Sequence, residues 1–210
     1  MPEFLYKYRA LDIRSLSALA KNNLCFVDCK FFNDPFDCHA HWPLNMVQPP
    51  ETVPGLRVCS FSAKRDDLLM WGHYADSHRG FCIEFRLDGD KNLPNMCFPV
   101  KYQNEYYNKG AIRIDELTSM GQVLTKSTQW SYEEEWRAFI HVPLSEADSK
   151  LVASVSYQPT AISGVIFGMR MPKDHRQLIR AVLSGHKHVT YYSAEKNKEC
   201  YSLDIKELEK

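Results

Sequence analysis

An acidic cluster followed directly by an apolar run, over residues 129–140, constrains the fold of this chain more than any other stretch. If the run is a β-strand, side chains two residues apart project from the same face of it. Glu133 and Glu135 then point together, and Glu134 points away from them. Two carboxylates beside a buried strand are unfavourable unless they are paired or used in function. We therefore interpret Glu133 and Glu135 as part of a functional site.

The length of 210 residues suits one globular domain, and we predict a single domain over residues 1–210. Twenty-six basic residues balance twenty-six acidic ones, so no overall field draws the chain to nucleic acid or anionic lipid. A local basic groove is still compatible with this balance. No apolar run approaches the length of a membrane span, and the first residues do not resemble a signal peptide. We accordingly predict a cytoplasmic protein without membrane association.

The seven cysteines are an odd number, and several, such as Cys59, lie inside apolar strand-like runs. This arrangement favours reduced, buried thiols in the cytoplasm over a disulfide framework. Cys25 and Cys29 with His39 and His41 are an alternative set of zinc ligands. Their spacing matches no standard zinc module, so we do not predict a metal site there.

Apolar periodicity predicts an α+β fold of about eight short strands with three or four helices. The strand-like runs are residues 5–9, 24–27, 56–62, 81–85, 97–102, 135–142, 161–168, 189–192 and 201–205. The helical patterns are residues 11–22, with Asp12 as N-cap, 66–76, 105–128 and 173–183. Five Pro and Gly residues within 42–56 predict an irregular surface segment.

Three polar motifs follow one another along the predicted strands: Arg9 on the first, Ser60-x-Ser62 on a middle one and Glu133-x-Glu135 on a late one. This order resembles the arginine–serine–glutamate branch of the ADP-ribosyltransferase superfamily. The resemblance implies two small bent sheets that form a central cleft and bind NAD as co-substrate. The chain departs from the superfamily pattern in lacking threonine between the two serines and in the long gap that precedes Glu133.

The chain as a whole also resembles a widespread bacterial family of unassigned function. Five short motifs carry this resemblance: Y-K-Y-R, F-N-D-P-F, M-W-x-H-Y-A, Y-E-x-E-W-R and I-F-G. They stand at Tyr6–Arg9, Phe32–Phe36, Met70–Ala75, Tyr132–Arg137 and Ile166–Gly168, and a serine-ended strand at Ser62 leads into the third.

The transferase resemblance implies a role for each acid. Breaking the nicotinamide–ribose bond passes through an oxocarbenium-like state, as in glycoside hydrolysis. Glu135 would face the developing cation or bind the ribose hydroxyl, and so stabilise that state. Glu133 would orient the acceptor or take its proton. Neighbouring carboxylates raise one another's pKa, which suits a general base.

The remaining candidates would hold the dinucleotide. Arg9 would bind the pyrophosphate or ribose through its fork of donors. Ser60 or Ser62 would hold the nicotinamide-side ribose and position the catalytic acid. Aromatic side chains would stack on the nicotinamide. The aromatic candidates, with the neighbouring histidine, are Tyr74, Phe32, Phe36 and His73.

Each of these residues also has an ordinary structural interpretation. Arg9 could pair with Asp12 or Glu135, and Ser62 could cap the following helix. The acids at 133 and 134 could be solvated charges that discourage strand pairing. His73, Tyr74 and His78 could be core or cap residues, and Phe31–Asp37 a well-packed loop rather than a pocket wall.

The leading hypothesis is an NAD-dependent ADP-ribosyltransferase of the bacterial cytoplasm. The resemblance implies a toxin or phage-defence role, with an antitoxin or chaperone partner. The acceptor would be a nucleic acid or a protein. For a nucleic acid, aromatic and cationic side chains would line a groove. These side chains are Trp42, Lys64, Arg65, His78, Arg79 and Lys126.

Two other classes of function remain open at this point. One is a hydrolase or nuclease that uses the acidic cluster with a divalent metal. Its residues would be Glu133, Glu135, Asp34 and His73. The other is a non-catalytic binding module, in which the aromatic loop and the acidic strand form an interface.

Overall fold

The computed structural model describes residues 1–38, 53–105 and 116–209, which form twelve strands and five α-helices. The strands are β1 Phe4–Arg9, β2 Asn23–Val27, β3 Leu56–Ser62, β4 Phe81–Arg86, β5 Cys97–Pro99, β6 Lys101–Tyr102, β7 Thr125–Lys126, β8 Glu135–His141, β9 Val152–Ser156, β10 Ile162–Phe167, β11 Thr190–Lys196 and β12 Leu203–Glu207. The helices are α1 Ile13–Ala20, α2 Leu68–Tyr74, α3 Leu93–Met96, α4 Glu116–Val123 and α5 Lys173–Val182.

Ten of these strands form one curled, mixed sheet in the order β12-β11-β10-β4-β1-β3-β2-β9, with β8 on β3 and β5 on β8. Within it, β10 and β11 are parallel, and α5 lies between them in the chain. A parallel pair needs such a crossover connection, whereas antiparallel neighbours can be joined by short turns. The short strands β6 and β7 make a separate parallel pair. The α+β expectation is therefore confirmed, as a single domain.

Strand β3 is the junction of the sheet. It pairs with β8 along its whole length, from Leu56 to Ser62. It meets β1 only through Tyr6 opposite Ser62, and β2 only through Val27 opposite Val58. Both strands thus diverge from β3 and leave a gap. The expected two separate bent sheets are replaced by one sheet that narrows to single residue pairs at this junction.

Apolar side chains pack on both faces of the strands beside the junction. On β1, Leu5 is fully buried in the larger core cluster, while Tyr6 and Tyr8 face a second cluster around Trp71. The rings of Tyr8 and Trp71 meet edge to face, with centroids 5.2 Å apart. The alternation of β1 therefore holds it between two cores, as a central strand requires.

Helix prediction fails in one stretch. Within residues 105–128, the described helix covers only Glu116–Val123, and Lys126 lies on strand β7 instead. The apolar spacing predicts one continuous helix, but the chain turns at Leu124 to pair with β6. Residues 106–115 and 39–52 lie outside the described part of the chain. Among described residues, no helix is long and apolar enough to cross a bilayer.

The sequence also failed to reveal strand β9, and its estimate of about eight strands was too low for the described residues. Strand β9 is mostly exposed and pairs at the edge with β2. It has two Val residues among Ala and Ser, without the longer apolar or aromatic run that marks the other strands. The predicted N-cap is confirmed, because Asp12 accepts a hydrogen bond of 2.6 Å from the Ser15 amide at the start of α1.

The turn between α2 and β4 brings left-handed backbone against the end of β1. Asp76, Ser77 and His78 have φ values of 47°, 51° and 69°. Such conformations are costly for residues with a Cβ, so surrounding contacts must hold this turn in place. Gly80 follows it, and a Cβ built there lies 2.1 Å from the Arg9 carbonyl oxygen. The turn therefore fixes the backbone of Arg9 by close approach.

Substituting this glycine tests the packing. We expect Gly80→Ala to lower the free energy of unfolding by about 1–3 kcal/mol, because the added methyl overlaps the β1 backbone. Gly72→Ala, in α2, is the matched control, since nothing lies within 4 Å of its Cβ. It should be neutral or stabilising by up to about 1 kcal/mol. Urea unfolding measures both, and equal effects would contradict the packing described here.

Candidate functional site

The gap beside β3 is a cleft of about 410 Å³. Residues 6–9 of β1, the edge of β3 and the loop after β2 form its walls. An acidic cluster forms its floor. Of the nine predicted site residues, eight line this cleft: Arg9, Phe32, Ser60, Ser62, His73, Tyr74, Glu133 and Glu135. The ninth, Phe36, is 61% exposed and is not among the lining residues.

Glu133 and Glu135 point into the same place, but not because both lie on an extended strand. Glu133 ends a 3-10 helix, and Glu135 is the first residue of β8. Between them, Glu134 adopts a left-handed conformation with φ of 40°. Its carboxylate turns to the surface and pairs with Lys64, at 3.0 Å. The predicted grouping of the two outer acids is thus found, with a different local cause.

Two buried cations hold the acids together. The Lys126 ammonium lies 2.6 Å from Glu133 Oε2, 3.1 Å from Glu135 Oε2 and 3.3 Å from Asp37 Oδ2. Arg137 binds both oxygens of Glu135, through Nε and a terminal nitrogen, each at 2.8 Å. The same terminal nitrogen reaches Asp37 Oδ2 at 2.7 Å. Removing one member of such a network leaves an uncompensated buried charge, which is strongly destabilising.

The network shifts the pKa values of the two glutamates in opposite directions. Burial opposes ionisation of Glu135, but Arg137 and Lys126 outweigh it and lower its pKa to about 2. For Glu133, burial is the dominant effect and raises the pKa, assisted by the negative charge of Glu135 and opposed by Lys126. One carboxylate is therefore held ionised, while its neighbour is poised to take up a proton.

Tyr74 connects the acidic cluster to the aromatic loop. Its hydroxyl donates to Glu133 Oε1 at 2.5 Å and accepts from Asn33 Nδ2 at 3.0 Å. Burial, and then the contact with Glu133, raise the pKa of Tyr74, so the phenol stays protonated. Phe32, from the same loop, packs its ring 5.6 Å from the Arg137 guanidinium. His73 is exposed beside Tyr74 at the cleft rim.

The two serines act on different acids. Ser62 is fully buried, donates to the Glu133 carbonyl at 2.5 Å and accepts from the Lys64 amide at 3.0 Å. It does not cap α2, because Asp67 performs that role. The Ser60 side chain lies beside Glu135 and, after Arg137 and Lys126, helps to lower the pKa of that carboxylate. Ser62 therefore sets the backbone before the acids, and Ser60 lies beside one of them.

Strand β1 supplies the basic side of the cleft. Lys7 donates to the Ser60 carbonyl at 2.6 Å and so spans the gap between β1 and β3. Arg9 is half-buried and lines the cleft. Its guanidinium forms no hydrogen bond or ion pair with any described residue, although its charge, after the hydrogen bonds from Ser15, helps to lower the pKa of Asp12. A charge-bearing fork of donors thus lines the cleft without a hydrogen-bond acceptor among the described residues.

The sequence did not identify Asp37, Lys7 or Arg137 as members of the site, and it placed Lys126 in a nucleic-acid groove. The i, i+2 spacing of Glu135 and Arg137 on β8 is a signal that could have found the arginine. Asp37 carried no such signal, because its segment is far from β8 in the chain. Lys126 meets Glu133 and Glu135 only through the turn of the chain between β7 and β8, which no local pattern predicts. Lys7 shares the strand face of Arg9, but its contact with β3 depends on the sheet order.

The metal-hydrolase alternative gains no support from the described residues. The Lys126 ammonium lies between the carboxylates, where a divalent cation would bind. No group of three His, Cys, Asp or Glu side chains suited to a metal occurs in the described part of the chain. Asp34 is buried and accepts from the Phe36 amide at 2.9 Å. The histidines of the alternative zinc set lie in the stretch that is not described.

The cations predicted to line a nucleic-acid groove are mostly engaged elsewhere. Lys64 pairs with Glu134, Arg65 lies 3.7 Å from Glu84, and Arg79 pairs with Asp76. Only Lys126 of that described set lines the cleft, and Trp42 is outside the described residues.

The opposite pKa shifts of Glu133 and Glu135 predict a pH-dependent stability. The folded pKa of Glu135, about 2, lies below its ordinary value of 4.5, so its stabilising contribution is present above pH 4.5 and is lost as the pH falls toward 2. Glu133 has the opposite sign, since its raised pKa removes stability as the pH rises through it. We expect Glu135→Gln to lower the unfolding free energy by on the order of 3 kcal/mol near pH 6, and much less near pH 3.

Urea unfolding between pH 3 and pH 7 measures this difference. Glu134→Gln is the control, because the Glu134 carboxylate is half exposed in a surface pair, and its effect should be small at every pH. A deficit of Glu135→Gln that stays constant across this range would show that Glu135 is not held ionised by the network.

Comparison with known proteins adds one match. Residues 70–138 match a family model described as "Protein of unknown function (DUF2971)", a stretch that runs from α2 to β8. It includes the M-W-x-H-Y-A and Y-E-x-E-W-R motifs and both site glutamates. No curated protein and no solved structure matches the chain. The resemblance to a family of unassigned function is thus supported over this stretch, whereas no match links the chain to ADP-ribosyltransferases.

Proposed function

We propose that the cleft binds NAD, breaks its nicotinamide–ribose bond and transfers ADP-ribose to an acceptor. The observation that carries this proposal is that the cleft has opposite charges on two of its sides. Arg9, which has no hydrogen bond or ion pair with a described residue, lies on one wall, and a network with excess negative charge forms the floor. NAD has matching ends, because its pyrophosphate is anionic and its nicotinamide riboside becomes cationic at the transition state.

The network on the floor of the cleft has a net negative charge. Asp37, Glu133 and Glu135 carry three negative charges when ionised, and Lys126 and Arg137 carry two positive charges, so one negative charge is left over. In a site shielded from water, that excess stabilises a nearby cation far more than it would in bulk solvent.

Glu135 supplies the fixed negative charge. Its pKa of about 2 keeps it ionised at neutral pH, and Arg137 holds the carboxylate plane with two hydrogen bonds. When the bond between nicotinamide and the ribose C1′ breaks, nicotinamide leaves with the bonding electron pair. The ribose becomes an oxocarbenium-like cation, and a preorganised carboxylate lowers the energy of that state without reorganising.

Glu133 completes the transfer. A nucleophilic oxygen or nitrogen of the acceptor attacks C1′ and must lose its proton as the new bond forms. Glu133 takes that proton, since its raised pKa brings it closer to neutral pH than an ordinary carboxylate. Tyr74 and Lys126 orient its two oxygens through their hydrogen bonds.

The remaining cleft residues bind the dinucleotide. Arg9 holds the pyrophosphate, and Phe32 or Tyr74 contacts the nicotinamide ring. The superfamily that the motifs resemble includes many small toxins and phage-defence effectors. We therefore place the protein in the bacterial cytoplasm, as such an effector with an antitoxin or chaperone partner.

The acids provide the first test. With NAD and cell lysate as the source of acceptor, Glu135→Gln should reduce nicotinamide release by about 100-fold or more. Glu133→Gln should impair transfer to acceptor more than nicotinamide release, by about 10- to 100-fold. Chromatography of nicotinamide and labelled ADP-ribose measures both.

Glu134→Gln is the matched control and should retain activity, since the Glu134 carboxylate faces the surface. Thermal unfolding of each variant separates loss of chemistry from loss of fold. Absence of NAD binding and nicotinamide release by the folded wild type would overturn the proposal. Activity that needs no NAD and disappears with a chelator would favour the hydrolase instead.

Arg9 provides a second, independent test. Arg9→Gln should raise KM for NAD about tenfold or more and change kcat little, because the interaction is with a remote part of the substrate. Arg9→Lys should recover part of the loss, keeping the charge but not the fork of donors. The fold should be unaffected, as no described residue pairs with this guanidinium. An unchanged KM in the folded Arg9→Gln variant would remove Arg9 from the site.

A further inference from the structure

A second groove opens from the cleft and runs along helix α1. It has a volume of about 1100 Å³ and lies between this helix, strand β2 and the edge strand β9. The groove and the cleft share several lining residues, among them Arg9, Phe31 and Tyr74, so the two cavities meet. A ligand that fills the groove up to this junction therefore lies next to the acidic cluster.

Three cations line this groove: Arg9, Arg14 and Lys21. Arg9 lies at the junction with the cleft, and Arg14 and Lys21 lie along α1. None of the three side chains forms a hydrogen bond or ion pair with a described residue. The one acid in the lining, Asp12, is engaged as the N-cap of the helix. The described walls thus carry a net positive charge in a protein whose total charge is zero.

We propose that this groove binds single-stranded nucleic acid, and that the bound strand is the acceptor of the cleft. The binding itself stands on the groove alone, whereas the role of acceptor rests on the transferase activity proposed above. An enzyme with a separate acceptor needs a second binding surface that leads to the reacting atom. This groove is such a surface.

The spacing of the cations favours a polymer over a single phosphate. Arg14 and Lys21 are seven residues apart, about 10 Å along the helix, and point to the same groove. A lone phosphate cannot reach both side chains together with Arg9. A chain with an anion at each repeat can neutralise all three, and single strands bind to basic grooves in this way.

An aromatic side chain distinguishes a nucleic acid from an acidic peptide. Phe31 is 58% exposed at the point where groove and cleft meet. The Lys30 ammonium lies 5.5 Å from the centroid of this ring, and more than half of the side chain is open to a ligand. A base stacked on the ring would cover it, a contact worth about 1–3 kcal/mol. The base next to the cleft would then place its nucleotide at the acidic cluster.

Fluorescence anisotropy with a labelled 12-nucleotide single strand, as RNA and as DNA, tests the proposal. The wild type should bind at 50 mM salt, and binding should weaken steeply as the salt is raised. Arg14→Gln with Lys21→Gln should weaken binding at least tenfold and leave nicotinamide release without acceptor unchanged. Phe31→Ala should weaken binding about fivefold or more, with little change in the salt dependence.

Lys196→Gln with Lys198→Gln is the matched control, because it removes two exposed charges at and just beyond β11, near the opposite edge of the sheet. It should bind as the wild type does. Equal loss in both double variants, no binding by the wild type, or tighter binding of a poly-glutamate peptide of equal charge would each overturn the proposal.

The two proposals fail separately. Strand binding that depends on Arg14 and Lys21, without nicotinamide release, supports the groove and contradicts the transferase. Nicotinamide release without strand binding supports the transferase and contradicts the groove. Transfer of labelled ADP-ribose to the bound strand supports both.

Discussion

The structure around the cleft depends on one interaction, the two-point ion pair between Arg137 and Glu135 inside the curled sheet. Both side chains come from the same face of β8, so the strand places them together. Their mutual attraction offsets the desolvation that would make either one intolerable alone. Lys126 and Asp37 extend the network to β7 and to the loop after β2. The floor of the cleft is therefore also the link between segments that are distant in sequence.

This dependence explains why neighbouring carboxylates behave differently. Glu135 contacts both cations, and Glu133 contacts one cation and a phenol. The protein thus generates an ionised acid and a protonatable acid from two identical side chains. The left-handed backbone of Glu134 makes this possible, since it turns the middle carboxylate outward and lets the outer two converge.

Local patterns in the sequence were enough to predict the strands of the core, whereas the grouping of Arg9, the serines and the acids came from the resemblance of their order to a known superfamily. Alternation and capping act over a few residues, so β1, β3 and the start of α1 could be predicted from them. The partners of the acids could not, because Asp37 joins the network from a distant segment, and Lys126 meets the acids only through the turn of the chain between β7 and β8. Strand β9 was missed because an exposed edge strand needs no apolar alternation. The turn of the chain into β7 was hidden by helix-like spacing.

The single residue pairs that join β1 and β2 to β3 have a consequence for how such a cleft can change over evolution. Along a full ladder, the distance between two strands is fixed near 5 Å by backbone hydrogen bonds. Where β1 and β2 diverge from β3, side-chain contacts set the distance between the strands instead, chiefly that of the Lys7 ammonium with the Ser60 carbonyl. Substitutions at a few side chains can therefore widen or narrow the cleft without disrupting any backbone hydrogen-bond ladder. A scaffold of this kind can change the size of its ligand while keeping its fold.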